Sequence, residues 1–216
     1  MNGEAPARLG DCVYLLAYDP VKQRMTGRAR RGTVVNAAVL VDLWLAGVLT
    51  DDGRRVALVP AARAARGYAG LEADVIRQIR EGRPHRWKYW VRRGHRTAER
   101  AVRDRLATRR VLRVEERTLL WVVPRPRITV RDTHTVHELV ARCRAAVLDH
   151  RVPVADVEAA DAALVALVAA AEWNTVFTGK ERRAHRHRIA EFAARSGPAA
   201  KALREVVRDE QASAAG

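Results

Sequence analysis

The chain has 216 residues, 48% of them hydrophobic, and carries a formal net charge of +15 at pH 7 with a pI near 11.2. This length suits one domain, or one domain with appendages, and is long enough to bury a substantial core. No run approaches the roughly 18–20 apolar residues of a membrane span, and the N-terminus has no apolar signal segment, so we expect a cytoplasmic protein.

Arginine carries nearly all of the positive charge, since the only lysines are Lys22, Lys88, Lys180 and Lys201. Heavy use of arginine and alanine is also typical of GC-rich bacterial genomes, which explains part of the bias. A guanidinium group binds phosphate through two parallel hydrogen bonds, which an ammonium group does not. The excess charge therefore indicates an anionic partner, either nucleic acid or a membrane surface.

For the first 60 residues, the sequence predicts a disordered N-terminal segment, a short apolar element, a basic loop and then a central helix. Residues 1–9 are predicted to be disordered, and Asp11 can cap an apolar segment, Cys12–Tyr18, that suits either a helix or a strand. A basic loop follows over residues 21–32. Thr33 is then predicted to cap a helix that is apolar over most of its circumference, which is typical of a helix inside a core.

Three shorter elements are expected next. The turn Asp51-Asp52-Gly53 predicts a small hairpin between the apolar residues on either side of it. Leu71–Arg80 has the spacing of an amphipathic helix, which Gly82 and Pro84 end. Residues 85–94 then interleave aromatic and basic side chains, and Trp87 and Trp90, three apart, are expected to pack inward.

Residues 96–109 predict a helix with a basic face. Its apolar side chains recur at i, i+4 and i+8, which places them on one side of the helix. A separate face carries arginines at i, i+4 and i+7, and two further arginines lie beside it. The apolar set is Ala98, Val102 and Leu106, the basic face is Arg96, Arg100 and Arg103, and the additional arginines are Arg105 and Arg109.

A β-hairpin is predicted directly after this helix. Val111–Val114 and Leu119–Val123 are β-rich runs, Glu115–Thr118 forms the polar tip between them, and Pro124 and Pro126 end the second run. One face of the second run must pack on the body of the protein. If the hairpin projects, the other face is an exposed apolar wedge, and such patches mark interaction sites. A tryptophan there suits the headgroup level of a bilayer.

The C-terminal half predicts further helices. One begins at Asp132 or Thr133, a second and wholly apolar helix covers Asp156–Phe177, an amphipathic helix covers Lys180–Ala194, and a closing helix covers Ala199–Glu210. The predicted fold is mainly α, with apolar central helices wrapped by amphipathic ones and a projecting β-hairpin. One domain is expected over residues 10–210, with a disordered tail at 211–216.

The sequence offers little for catalysis. The only serines, Ser196 and Ser213, lie in a loop and in the tail rather than in a strand–turn–helix context. The order of His134, His137 and Glu138 differs from that of the zinc-binding His-Glu-x-x-His motif. Both cysteines, Cys12 and Cys143, lie in apolar patterns and are expected to be reduced thiols in the core. We therefore expect no enzymatic activity, no cofactor and no metal.

The order of these segments resembles the Golgi phosphoprotein 3 family, whose bacterial relatives are common in actinobacteria. The resemblance runs from about Gly10 to Glu210. It rests on the opening DCVYLLAYDP, on AAVLVDLWLAGVL at 37–49, on the arginine-rich helix followed by EERTLLWVV, and on ALVALVAAAEWNTVF at 163–177 with the Gly-Pro helix entry near Gly197.

The resemblance implies an all-α fold, peripheral binding of phosphatidylinositol 4-phosphate, and a hairpin tip that dips into the bilayer. Arg96 matches the first of the family's paired headgroup arginines, and Glu99 falls at the second. The family's loop tryptophan falls near Gly27 and Arg28, and a nearby arginine falls at Asn36. The implied headgroup set is Arg28, Asn36, Arg96, Arg100 and Arg103, and the implied insertion set is Leu119, Leu120, Trp121 and Val122.

Three functions follow from these features. The leading hypothesis is a non-enzymatic protein on the inner face of the membrane that binds an acidic phospholipid. A basic helix before a β-hairpin also matches a winged helix that binds nucleic acid. That reading is less favoured, because winged tips that meet DNA are basic whereas this tip carries Glu115 and Glu116. The third is an interaction scaffold that self-associates through the hairpin.

Overall fold

The structure, a computed structural model, describes residues 8–27, 29–60, 67–119 and 123–215. The fold is mainly α, as predicted, and the three sheets found among these residues are each a two-stranded antiparallel hairpin. In chain order the elements are α1 (Leu9–Leu16), β1 (Tyr18–Asp19), β2 (Arg24–Met25), α2 (Arg31–Leu45), β3 (Leu49–Asp52), β4 (Arg55–Leu58), α3 (Leu71–Glu81), α4 (Trp87–Arg92), α5 (His95–Thr108), β5 (Leu112–Leu119), β6 (Val123–Val130), α6 (Thr133–Leu148), a 3-10 turn (Val154–Asp156), α7 (Ala159–Ala171), α8 (Gly179–Ala184), α9 (Arg186–Arg195) and α10 (Gly197–Ala215).

Helices α2 and α7 form the centre of the core. Helix α2 packs against α1, α5, α7 and α10, and its residues 34–41 are all buried. Residues 162–168 of α7 are likewise buried over two full turns. A helix surrounded by neighbours needs apolar side chains on every face, which explains why these two segments lack a polar stripe. The predicted pair of apolar central helices is confirmed.

The chain enters the core earlier than predicted. Helix α1 begins at Leu9, a fully buried residue that the sequence placed in a disordered segment. Its first turn is held by a side chain far along the chain, because the Leu9 N–H donates to a carboxylate oxygen of Asp42 at 3.0 Å. Asp11 lies inside the first turn and does not cap the helix; its carboxylate accepts hydrogen bonds from Arg105.

The basic loop before α2 is more ordered than its composition predicts. Strands β1 and β2 pair across it, and Thr26 fastens the return by donating from its hydroxyl to the Ala17 carbonyl at 2.7 Å. Helix α2 then starts at Arg31, so Thr33 is inside the helix and the predicted cap is wrong. The Gly27 carbonyl, which accepts from the Arg31 N–H at 2.7 Å, begins the helix instead.

The segments between α2 and α5 agree with their predictions. Strands β3 and β4 pair over the turn at Gly53, and α3 spans Leu71–Glu81. Trp87 and Trp90 are buried on α4. The Trp87 indole N–H donates to Asp51 at 3.0 Å and thereby ties α4 to the β3–β4 hairpin.

The β5–β6 hairpin has a different register from the predicted one. Its strands extend to Leu119 and Val123, which pair with each other. Glu115 and Glu116, predicted at the tip, lie within β5 opposite Arg127 and Pro126. Prolines are tolerated in β6 because a two-stranded sheet leaves one edge of each strand without a partner, so a missing N–H on that edge costs little.

The helices of the C-terminal half divide differently from the predicted set. Helix α7 ends at Ala171, because Glu172 adopts a left-handed conformation, and the predicted extension to Phe177 is therefore not helical. The single helix predicted over 180–194 is two helices, α8 and α9, which meet at His185. The predicted disordered tail is helical to Ala215, because its alanines are strong helix formers and neither proline nor glycine occurs between Pro198 and Gly216.

Both cysteines are buried free thiols, as predicted. Burial in the apolar core raises the pKa of Cys12 to about 11 and that of Cys143 to about 12. A thiol must ionise to act as a nucleophile or a metal ligand, so both side chains are protonated, unreactive packing groups at neutral pH.

Candidate anionic-headgroup site

Helix α5 presents exposed arginines on the side opposite its packed stripe. Ala98, Val102 and Leu106 are at most 2% exposed, whereas Arg96 and Arg100 are exposed to solvent. Within the described part of the chain, neither guanidinium has an ion-pair partner. The predicted division of α5 into an apolar and a basic face is confirmed, and these two arginines are its free charges.

The other arginines of α5 have partners within the protein. Arg105 bridges two elements, with Asp11 of α1 at 2.6 Å and Glu72 of α3 at 3.3 Å. Arg109 adds a longer contact of 3.5 Å with Asp11. Arg103, part of the expected headgroup set, is half-buried and pairs with Asp104 at 2.7 Å. The basic face is thus concentrated towards the N-terminal end of α5.

Two helix N-termini meet at this end of α5. A Cβ atom placed on Gly32, the second residue of α2, would lie only 2.6 Å from the carbonyl oxygen of His95, the first residue of α5. Neither helix has an acidic residue in its first turn. The partial positive charges of both helix dipoles therefore add to those of the nearby arginines, and the surface attracts anions.

One carboxylate opposes this positive charge. Glu99 accepts from Arg31 Nε at 2.8 Å and from its Nη2 at 2.5 Å, and Arg31 is only 7% exposed. Arg31 also donates to the Thr26 carbonyl at 3.2 Å and lies over the Tyr14 ring. Glu99 stands where the family resemblance implies a second headgroup arginine, and it neutralises a buried cation there.

Asn36, expected among the headgroup ligands, has a structural position instead. It is 3% exposed, and its amide nitrogen donates to the carbonyls of Trp90, Val91 and Arg93 at 2.7, 3.1 and 2.8 Å. An amide carries only two N–H bonds, so none remains for a ligand. Asn36 ties α2 to the C-terminal end of α4, and we therefore leave it out of the proposed lipid contacts.

The indole of Trp173 packs against Gly27, a contact that was not predicted from the sequence. A Cβ on Gly27, which has a positive φ of 62°, would lie 2.3 Å from the indole nitrogen of Trp173. The ring thus packs directly on the backbone where the family's loop tryptophan was expected, although the two positions are far apart in sequence. In the sequence, Gly27 is the local indication of this contact, because a ring that packs on the backbone requires a residue without a side chain there. Arg28 lies outside the described residues.

The hairpin is anchored at its base. Leu112 of β5 and Ile128 and Val130 of β6 are buried against the body. Leu119, the first residue of the expected insertion set, ends β5 at the other end of the hairpin and pairs with Val123. Leu120, Trp121 and Val122 lie outside the described residues, and the Leu119 side chain does as well.

The described chain contains no cluster of three or more His, Cys, Asp or Glu side chains placed to hold a metal ion. His134 and Glu138 approach to 3.5 Å on the surface of α6, where both are largely exposed. Among the described residues, no helix is long and apolar enough to cross a membrane.

The fold and site define a mainly helical domain with an arginine-bearing surface and a two-stranded hairpin beside it. The Golgi phosphoprotein 3 (GPP34) family matches residues 9–209, and the chain belongs to this family. The resemblance inferred from the sequence is confirmed. A search of curated proteins finds no match to the chain.

Proposed function

We propose that this protein is a peripheral membrane protein that binds acidic phospholipid headgroups, of the phosphatidylinositol 4-phosphate type, through Arg96 and Arg100. The observation that carries the proposal is the exposure of these two arginines, without acidic partners in the described chain, at the positive end of α5. Arg103 lies one turn further on and adds charge when its exposed neighbour Asp104 releases it. Family membership supports the lipid class but does not select a headgroup.

Hairpin β5–β6 supplies the second contact. Leu119 pairs with Val123, so the apolar sequence Leu-Leu-Trp-Val-Val begins with the last residue of β5 and ends with the first residue of β6 and does not belong to a single strand. In the proposed complex, Leu119, Leu120, Trp121 and Val122 enter the bilayer interface. The composition of this sequence, which is apolar with a tryptophan at its centre, favours this role, because tryptophan suits the headgroup level of a bilayer.

The two contacts are individually weak and jointly sufficient. Each basic residue near an anionic surface contributes about 1 kcal/mol. Each apolar side chain that leaves water adds about 1.5–3 kcal/mol. Two signals of this size support reversible anchoring, which either alone does not. The proposed location is the inner face of the membrane, and the proposed role involves no chemical step.

Liposome co-sedimentation tests the proposal. Wild type, Arg96→Ala/Arg100→Ala and Trp121→Ala are each mixed with neutral, phosphatidylserine or phosphatidylinositol 4-phosphate vesicles at physiological salt. We expect binding to acidic vesicles that both variants lose. Arg80→Ala/Arg83→Ala, which removes two exposed charges at the end of α3 and just after it, is the matched control and should bind like wild type.

Two results would contradict the proposal. If wild type stays in the supernatant with every vesicle, the protein does not bind membranes by itself. If the control loses as much binding as Arg96→Ala/Arg100→Ala, only net charge matters and α5 is not a site. Titration with duplex DNA under the same conditions then tests the nucleic-acid alternative through its salt dependence.

A further inference from the structure

A groove lies on another part of the molecule, between α7, α9 and α10. Its cavity volume is about 1040 Å³, at the upper end of the range for ligand-binding clefts. Small apolar side chains form the floor, among them Ala169 and Ala170 of α7, Ala190 and Ala193 of α9, and Ala200 of α10. Alanine at these positions leaves space between the helices that larger side chains would fill.

Cations line both walls of this groove. Arg183 and Arg186 stand on the α8–α9 side, and Lys201, Arg204 and Arg208 stand on α10. All five are exposed, and none has an ion-pair partner in the described chain. Glu172 is the one carboxylate among the described lining residues, and it is already engaged by Arg30 and Gln211.

The spacing of the cations on α10 indicates how negative charge is distributed on a partner that contacts all of them. Lys201, Arg204 and Arg208 lie at i, i+3 and i+7, which is one face of the helix, and they extend over about 10 Å at 1.5 Å per residue. A ligand with one charged head meets one end of such a row. A partner with several carboxylates spread along its length, on both sides of an apolar face, contacts the whole row of cations.

Trp44 lines the groove as a half-buried aromatic side chain. Gly197, with a positive φ of 76°, lies so close that a Cβ there would be 2.5 Å from the Trp44 ring. Trp87 supports the same ring edge-on, with 5.8 Å between centroids. The indole is thus held rigidly at the start of α10, and rigid aromatic surfaces are frequent anchors in protein interfaces.

We propose that this groove binds an acidic amphipathic helix of a partner protein. The partner's apolar side chains, at i, i+3, i+4 and i+7, lie on the alanine floor, and its Asp and Glu side chains face the cations on both walls. A second copy of this chain is a poor occupant, because it brings a net charge of +15 to a basic surface. Nucleic acid fits poorly because the floor offers no polar group to bases or sugars.

A designed peptide tests the proposal. The probe is a fluorescein-labelled helix of about 15 residues with leucines on one face and glutamates on its flanks, and its control is a scrambled peptide of identical composition. Fluorescence anisotropy measures binding to the full-length protein. We expect the amphipathic peptide to bind at least about ten times more tightly than the scrambled one, because only it presents a continuous apolar face.

Two pairs of variants locate the site. Lys201→Gln/Arg204→Gln should weaken peptide binding several-fold and reduce its salt dependence, whereas Arg80→Gln/Arg83→Gln should not. Ala190→Trp fills the groove from an exposed position without changing charge and should abolish binding. Ala145→Trp, at an exposed alanine of α6 outside the groove, is its control. Circular dichroism of each variant verifies that the fold is retained.

Three outcomes would overturn the proposal. Equal binding of the scrambled peptide means that net charge alone attracts it. Unchanged binding to folded Ala190→Trp places the peptide elsewhere. If oleate below its micellar concentration displaces the peptide and binds more tightly, with the same loss in Ala190→Trp, the groove accepts an acyl chain instead. Vesicle binding of the groove variants should equal that of wild type, which separates this surface from α5.

Discussion

Arg31 and Glu99 form an ion pair at the meeting point of α2 and α5, with Arg31 Nε 2.8 Å from Glu99 Oε1. The pair joins residues 68 positions apart and holds a nearly buried guanidinium in one orientation. It also removes one positive charge from the surface where Arg96 and Arg100 are exposed. The ion pair therefore fixes the junction of α2 and α5 and weakens the attraction of this surface for anions.

Glu99→Gln tests this relationship. Glutamine keeps an oxygen for Arg31 and removes the negative charge, so affinity for acidic vesicles should rise about five-fold, the equivalent of roughly 1 kcal/mol. Stability should fall by about 1–3 kcal/mol, because a largely buried charge loses its counter-ion. Co-sedimentation and thermal unfolding measure the two effects. Glu191→Gln, at an exposed position on α9, controls for net charge, and an equal gain there would refute the local explanation.

Asn36 should govern stability rather than lipid affinity. Asn36→Asp places carboxylate oxygens against three carbonyls that now receive N–H donors, so we expect a loss of about 2–4 kcal/mol. Asn36→Ala removes the donor without the repulsion and should cost less. Chemical denaturation gives the ranking. A folded Asn36→Ala protein that loses vesicle binding as fully as Arg96→Ala would show that the amide contacts lipid after all.

Local periodicity was sufficient to predict helices α3 and α5, because each buries one stripe whose spacing is visible in the sequence. The hairpin register was not predictable in this way. Leu119–Val123 has the local pattern of a strand, but Ile128 and Val130 are buried with Leu112 at the base, and this shifts the pairing by several residues. The ion pairing of the α5 arginines was not predictable for the same reason. Arg105 pairs with Asp11, which lies 94 positions away in the sequence.

A substitution in the buried base of the hairpin should lower stability, whereas a substitution in the proposed insertion set should abolish membrane binding. Ile128→Ala empties a buried position at the base and should cost about 2 kcal/mol of stability, with vesicle binding retained by the folded fraction. Trp121→Ala, in the proposed insertion set, should change stability by less than about 0.5 kcal/mol and abolish binding. Urea unfolding and co-sedimentation compare the two. If Trp121→Ala is the more destabilising change, the tryptophan belongs to the core and not to the membrane contact.

The stability of the protein should depend on the ionisation of Asp42. Burial, assisted by the nearby carboxylates of Glu72 and Asp11, raises the pKa of Asp42 from 3.8 to about 7, although the N–H groups of Leu9 and Gly10 oppose the shift. Between these two values only the folded state holds the proton. Raising the pH through this window therefore destabilises the fold, by on the order of 2–4 kcal/mol, and the loss is complete above the folded-state pKa.

Asp42→Asn isolates this effect, because an amide oxygen still accepts the Leu9 N–H but does not ionise. The difference in unfolding free energy between variant and wild type, measured in urea at about pH 5 and about pH 8, should move in the variant's favour at the higher pH. Other carboxylates contribute equally to both proteins and cancel. Asp52→Asn, at an exposed position in β3, should show a constant difference. A constant difference for Asp42→Asn as well would mean that Asp42 is ionised in the folded protein throughout this range.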